Sequence, residues 1–297
     1  MSDVKMSADQ EADPRRFLAA PDQLYSAYVF DLDGTIYLGD GLLPGAKRMI
    51  EELRARDCAV RFLSNNPTKD PQQYVEKLGK LGLPTPIEEI CNTTVTMTQW
   101  LLENAPDAVV FPIGEQPLVG ALTDAGFEIS DDPAEIDVVI ASYDRGFTYE
   151  KLQIAFDAIW FHKRARLVAT NPDRFCPFPG GRGEPDCAAI TAAIEACTGA
   201  RTEVNVGKPN PAMLHTALKG LDVELGDCVM CGDRLSTDIR MGLDTGMVSA
   251  LVLTGESTLD DLRDLPAEDI PSVVIERIDR LLPPEVWEER GWSETDT

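Results

Sequence analysis

Seven short apolar runs punctuate the chain: Ala27–Leu32, Ala59–Leu63, Ala108–Ile113, Asp137–Ser142, Arg166–Thr170, Asp227–Cys231 and Val248–Leu253. Their near-continuous, β-branched character is that of strands covered on both faces. Between them, apolar positions recur every three or four residues in stretches such as Gly45–Arg56, Tyr149–Phe161 and Pro211–Lys219. That spacing predicts amphipathic helices. Strands alternating with helices predict an α/β protein built on parallel sheets.

Both ends of the chain break this pattern. Residues 1–22 are polar and acidic and lack the apolar core of a signal peptide, and 285–297 follow Pro283-Pro284. Both are expected to be flexible arms, with Trp287 and Trp292 as candidates for docking. No stretch approaches the roughly 18 apolar residues that span a bilayer, so a cytoplasmic protein without membrane contact is expected.

Charge removes further classes. The net charge is −24 over 297 residues. With no basic run of five, the chain would repel a phosphate backbone, which argues against a nucleic-acid partner. Only His162 and His215 are present, too few for a His-rich zinc site. The seven cysteines are odd in number and scattered, unlike a disulfide framework. Cys228-Val-Met-Cys231 has redox spacing but lies in a strand pattern, where side chains three apart face opposite ways.

Candidate chemistry gathers where strands are expected to end. Asp31-Leu-Asp-Gly-Thr35 follows Tyr28-Val-Phe30 directly, and open α/β sheets bind ligands at the carboxyl ends of strands. Asp31 and Asp33, two apart on extended backbone, are expected to project together, which calls for a cation or a shared proton. The plain reading is an Asp-Gly turn. Ser64-Asn-Asn66 follows the second strand and offers a hydroxyl and two amides. Lys208 precedes Asn210-Pro211, a helix cap with proline at the first position, where an anion is favoured. Asp233 and Asp238 follow the strand Asp227–Cys231. Carboxylates at Asp31, Asp33, Asp233 and Asp238 make a hard oxygen donor set suited to Mg²⁺. Ser64 and Lys208 suit phosphate oxygens, and an aspartate nucleophile can form an aspartyl-phosphate.

The ordered motifs DLDGT, SNN, GK and GDRLSTDIRMGLDTGM, with LVLTG after them, resemble the haloacid dehalogenase-like (HAD) superfamily of phosphohydrolases. The likeness is to its class IIA branch of NagD-type and 4-nitrophenylphosphatase/phosphoglycolate phosphatase-like enzymes, and it spans roughly residues 25 to 256. The resemblance implies Asp31 as nucleophile and Asp33 as general acid/base. It implies Ser64, Asn65 and Lys208 as phosphate-binding residues. It also implies Mg²⁺ held by Asp31, the backbone carbonyl of Asp33 and Asp233, with Asp238 orienting these ligands.

Only 28 residues separate Thr35 from Ser64, whereas 141 separate Asn66 from Lys208. The expected architecture is therefore a Rossmann-like parallel-sheet core, 23–94 and 199–284, interrupted by a C2-type α/β cap at 95–198. Within the cap, Thr170-Asn-Pro-Asp173 resembles the branch's substrate loop, making Asn171 and Asp173 candidate substrate-binding residues; an Asn-Pro turn is the plain reading. Downstream, Gly183-Glu-Pro-Asp186 departs from the glycine turn of relatives and adds two acids. Lys163, Arg164 and Arg166, with Arg174 and Arg182, could meet a second anionic group, although a charge-balancing surface is the expected reading.

The activity so implied is a Mg²⁺-dependent phosphatase of small phosphorylated metabolites: sugar phosphates, glycerol phosphates, phosphoglycolate, nucleotides or pyridoxal phosphate. A homodimer through the cap would be typical of the branch. The alternatives are a receiver-like phosphoacceptor and a non-catalytic phosphometabolite-binding protein. The acid at position 33 counts against a dehalogenase, and the short span before Ser64 leaves no room for a phosphonatase lysine.

Overall fold

The structure, a computed structural model, describes residues 14–178 and 180–293. The chain runs through β1 (Ala27–Asp31), a small hairpin of β2 (Tyr37–Leu38) and β3 (Gly41–Leu42), α1 (Ala46–Ala55) and β4 (Ala59–Ser64). Next come α2 (Pro71–Lys80), β5 (Ile90–Asn92), α3 (Thr93–Asn104), β6 (Val110–Ile113), α4 (Gln116–Asp124) and β7 (Val138–Ala141). They are followed by α5 (Tyr149–Phe156), β8 (Arg166–Ala169), a hairpin of β9 (Phe175–Phe178) and β10 (Arg182–Pro185), α6 (Cys187–Thr198) and α7 (Pro211–Leu218). The remainder is β11 (Cys228–Gly232), α8 (Arg240–Thr245), β12 (Val248–Val252), β13 (Val273–Ile275) and α9 (Pro284–Arg290). All seven expected strands form. The helix expected over Tyr149–Phe161 is α-helical only through Phe156 and continues as a π-turn over Asp157–Phe161.

The chain divides into two compact bodies. The first holds the chain through Phe62, Leu81–Leu83, and the chain from Gly220 on. Its strands β1, β11, β12 and β13 pair in parallel, with Phe30 opposite Cys231, Gly232 opposite Leu251 and Val252 opposite Ile275. Tyr28, Val29 and Phe30 on β1 and Val229, Met230 and Cys231 on β11 are fully buried. These runs are apolar on every residue because both sheet faces are covered. Parallel pairing also brings the ends of β1 and β11 to the same sheet edge, which places Asp31 beside Asp233.

The described residues within both expected arms take up regular structure. Residues 1–13 of the expected N-terminal arm and 294–297 of the C-terminal one lie outside the described residues. Ala19, inside the supposed first arm, pairs with Val274 through backbone hydrogen bonds of 2.9 and 3.2 Å. Residues 285–290 belong to α9, with Val286 and Trp287 buried. The prolines that suggested a break instead open the helix, since proline's fixed φ suits its first turn. Trp287 Nε1 donates to Asp279 O at 3.1 Å, and the Arg48 guanidinium lies 4.7 Å from the ring centres of both Trp287 and Trp292.

The second body comprises Leu63–Lys80 and Pro84–Lys219. Here β6, β7 and β8 form a parallel sheet, in which Ile113 faces Ala141 and Ala141 faces Ala169. Strand periodicity divides its apolar residues between two cores. Val139, Ala141 and Leu167 pack with Ile190 and Ile194 of α6, whereas Val138, Ile140 and Val168 pack with Met97 of α3 and Leu118 of α4. This body reaches beyond the expected cap limits of 95–198. Val204 and Val206 pack into the second of those cores, and Asn205 bridges to Ala169. Among the described residues, no helix is long and apolar enough to cross a membrane.

Candidate active site

In the first body, one carboxylate oxygen from each of Asp31, Asp233 and Asp238 lies within 4.8 Å of the others. Asp233 and Asp238 are 3% and 0% exposed. At that separation, each ionised pair repels by about 3 kcal/mol at an effective dielectric of ~20, so the group calls for a cation. The surrounding backbone holds the acids in place. Glu256 N–H donates to Asp233 Oδ2 at 2.7 Å, and Arg234 N–H donates to Asp238 Oδ2 at 3.2 Å. Glycines make the space. A Cβ at Gly34 or Gly255 would fall 2.6 or 2.0 Å from Asp233 Oδ2, and one at Gly232 would fall 2.2 Å from the Asp238 carboxyl carbon. Three buried or half-buried oxygen donors in a cradle of glycines fit a hard divalent cation.

Asp33 stands apart from this trio. The expectation that Asp31 and Asp33 project together required extended backbone, but β1 ends at Asp31. The Leu32 carbonyl accepts the N–H groups of Thr35, Ile36 and Tyr37 and so turns the chain. Asp33 is exposed, and its Oδ2 accepts the Tyr37 hydroxyl at 3.0 Å. Among the described residues, the carboxylates that come together are thus Asp31, Asp233 and Asp238, without that of Asp33.

The phosphate-type donors belong to the second body. Ser64 closes β4, is buried, shares a 2.9 Å hydrogen bond with the Tyr74 hydroxyl and accepts Asn66 N–H at 3.2 Å. Lys208, expected at the mouth of a helix, is only 3% exposed. Its backbone is gripped by one side chain: Asn65 Oδ1 accepts Lys208 N–H at 2.8 Å and Asn65 Nδ2 donates to Lys208 O at 3.2 Å. Asn210 caps α7 as its sequence predicts, accepting Ala212 N–H at 2.9 Å.

Asn171 and Asp173 join the same region. Asn171 Nδ2 donates to Asp173 Oδ2 and to Asp186 Oδ1, each at 3.0 Å, and Asp173 Oδ2 also accepts from Asn65 Nδ2 at 3.1 Å. The two acids of the Gly183–Asp186 departure both have structural partners: Glu184 accepts the Tyr143 hydroxyl, and Asp186 caps α6 through Cys187 N–H. In the basic cluster, Arg164 pairs with Asp137 and Arg166 with Glu203, each at 2.9 Å, as a charge-balancing surface should.

Cys228 and Cys231 are buried, free thiols on β11. Burial, with the nearby Asp227 charge, pushes Cys228 up to about 11. Burial and the charges of Asp238, Asp31 and Asp233 hold Cys231 well above the ordinary thiol range. Neither has the depressed pKa of a redox thiolate. Tyr74, Gly255 and Glu256 were not among the expected site residues. LVLTG carried a signal for the glycine, but the roles of Tyr74 and Glu256 emerge only from packing.

Residues 28–128 match a family described as haloacid dehalogenase-like hydrolase, and residues 205–281 match one described as HAD-hydrolase-like. An acid sugar phosphatase of Staphylococcus aureus is 36% identical over 241 residues, covering 81% of this chain and 91% of the relative. The chain belongs to the haloacid dehalogenase-like hydrolases. Within that family it is a class IIA phosphatase. The 4-nitrophenylphosphatase of Thermotoga maritima superposes with a TM-score of 0.80 at 33% identity, over 86% of this chain and 96% of that one. NagD from E. coli K-12 gives 0.77 at 27% identity, over 86% and 98%. HAD phosphatases generally use a divalent metal, and in this one Asp31, Asp233 and Asp238 form an acidic group able to hold it.

Proposed function

We propose that this phosphatase is Mg²⁺-dependent and hydrolyses phosphomonoesters of small metabolites through an aspartyl-phosphate on Asp31. The observation that carries the reading is the all-oxygen group of Asp31, Asp233 and Asp238 at the ends of paired parallel strands. Such donors favour Mg²⁺ over softer ions. Asp31, Asp233 and the backbone carbonyl of Asp33 would hold the ion, with the Asp238 carboxylate close enough to join or orient them. When bound, the ion supplies positive charge that offsets the anionic phosphoryl oxygens.

Asp31 attacks phosphorus, and the bond to the ester oxygen breaks. Asp33 protonates the departing oxygen; as a carboxylate it then takes a proton from water, whose oxygen attacks phosphorus and releases Asp31 with inorganic phosphate. Exposure of Asp33 suits this proton traffic, and the Tyr37 hydroxyl orients its carboxyl group. Ser64, Asn65 and Lys208 serve the phosphoryl group, Lys208 as a point charge. The segment 95–198 acts as the cap that selects substrates.

The S. aureus relative carries the name acid sugar phosphatase, so sugar phosphates head the candidate substrates. The test is a phosphate-release panel with Mg²⁺ over sugar phosphates, glycerol phosphates, phosphoglycolate, nucleotides and pyridoxal phosphate. Turnover of at least one class, abolished by a chelator, is the expected result. Metal-independent turnover would overturn the mechanism.

A further inference from the structure

The Asn65 side chain has no spare hydrogen-bond donor. Its amide nitrogen carries two N–H groups, and these go to Lys208 O at 3.2 Å and Asp173 Oδ2 at 3.1 Å, while its oxygen accepts Lys208 N–H at 2.8 Å. Turning the amide over would set its NH₂ against the Lys208 N–H and its oxygen against the Asp173 carboxylate, so one orientation is enforced. Asn171 is committed in the same way. It is 1% exposed, gives both N–H groups to Asp173 and Asp186, and accepts the Thr170 hydroxyl at 2.9 Å. No donor and almost no surface are left on Asn171 for a substrate.

We propose that Asp173 is a positioning residue for the phosphate-binding lysine, acting through Asn65, rather than a contact that selects substrates. The bonds Asp186–Asn171–Asp173–Asn65–Lys208 join four segments: the loops after β4, after β8 and before α7, and the cap of α6. The loop that carries Lys208 lies directly on the one that carries Asn171. A Cβ at Gly207 would come within 2.7 Å of Thr170 O and 3.0 Å of Asn171 Cα, so the two backbones are in contact there. Asp173 closes this arrangement with one oxygen that accepts from two amides. Removing its carboxylate frees the Asn65 amide to rotate and withdraws the side chain that grips the Lys208 backbone on both its N–H and its carbonyl. A displaced ammonium is felt by every phosphate ester alike, because the phosphoryl group is the part they share.

This role rests on the phosphatase reading with Lys208 as a phosphate ligand, and the test separates the two. With the full-length enzyme and Mg²⁺, Asp173→Ala should raise KM for each hydrolysed phosphomonoester, and Ki for inorganic phosphate, by a common factor of about tenfold. The order of preference among substrates should not change. Asp173→Asn keeps an acceptor oxygen for both amides and should recover most of the loss. Asn65→Ala should reproduce the Asp173→Ala effect, and the double variant should be no worse than either single one. Reordered substrate preference with an unchanged phosphate Ki would overturn the proposal, as would additive losses in the double variant. Absence of turnover in the wild type would remove the phosphatase reading alone. The Asn65–Asp173 coupling would then be read from thermal unfolding of the wild type, Asp173→Ala, Asn65→Ala and the double variant, where additive shifts in Tm would overturn it.

Discussion

Glu256 N–H donates to Asp233 Oδ2 at 2.7 Å, and the residue before it, Gly255, leaves the room in which that carboxylate sits. A methyl group at Gly255 would fall 2.0 Å from the same oxygen, and one at Gly34 would fall 2.6 Å away at a φ of +86°, where side chains are already strained. Gly255→Ala and Gly34→Ala should therefore displace the Asp233 carboxylate. The expected outcome is a folded protein whose melting temperature no longer rises when Mg²⁺ is added. An unchanged Mg²⁺ response in both variants would remove Asp233 from the ion's site.

Three carboxylates within 4.8 Å also make the metal a stability ligand. A cation that binds only the folded chain stabilises it by about 2.7 kcal/mol at a hundredfold excess over Kd. Its removal also exposes the mutual repulsion of Asp31, Asp233 and Asp238. Chelation should lower Tm and abolish phosphate release, and added Mg²⁺ should restore both. The effect on Tm should vanish in an Asp233→Asn, Asp238→Asn double variant, measured by differential scanning calorimetry with and without the ion.

Asp31→Asn tests the nucleophile directly. The amide keeps the size of the side chain at the end of β1 but lacks the nucleophilic oxygen, so phosphate release should fall to background, a loss of at least ~10³-fold. Rapid-quench detection of an acid-stable phosphoenzyme in the wild type, absent from Asp31→Asn, completes the assignment. Near-normal turnover by the variant would sink it.

Much of this was legible in the chain because it was local. Each apolar run became a strand, and the ends of two of them set Asp31 and Asp233 at one sheet edge. Asp33 could not be placed in this way, because its direction depends on where β1 stops and on three N–H groups that converge on Leu32 O. Asp173 and Asn65 are 108 positions apart, and Asn65 and Lys208 are 143 apart. No pattern along the chain encodes those pairings. The C-terminal helix was missed for a related reason: Trp287 earns its place through Arg48 and Asp279, residues of other elements.

The β11 thiols should make the fold sensitive to alkaline pH. Burial raises Cys228 from the ordinary thiol value near 9 to about 11. The folded chain therefore favours the neutral thiol more strongly than the unfolded chain does. That preference is fully present below pH 9 and is lost as pH rises through 11. Tm should hold up to pH 9 and fall between 9 and 11, less steeply in Cys228→Ala. At pH 8, iodoacetamide should modify exposed Cys197 well before Cys228 or Cys231, and mass spectrometry of the native protein reads that order.

The C-terminal helix gives the last test. Trp287 is 7% exposed, donates its indole N–H to Asp279 O, and lies under the guanidinium groups of Arg48 and Arg280, at 4.7 and 4.0 Å from its ring centre. Asp279, fully buried, accepts in turn from Arg48 and Arg277. Trp287→Ala removes a large buried ring and leaves those guanidinium groups without their platform, which should cost about 3–5 kcal/mol. Trp287→Phe keeps the ring face but loses the indole donor, so its cost should be nearer 1–2 kcal/mol. The Asp31, Asp233 and Asp238 group lies at strand ends that α9 does not form, so kcat at 25 °C should stay within about twofold in the Phe variant. Urea unfolding gives the stability order and phosphate release gives the rate. Equal stability of the Ala variant and the wild type would mean that α9 is a passive appendage.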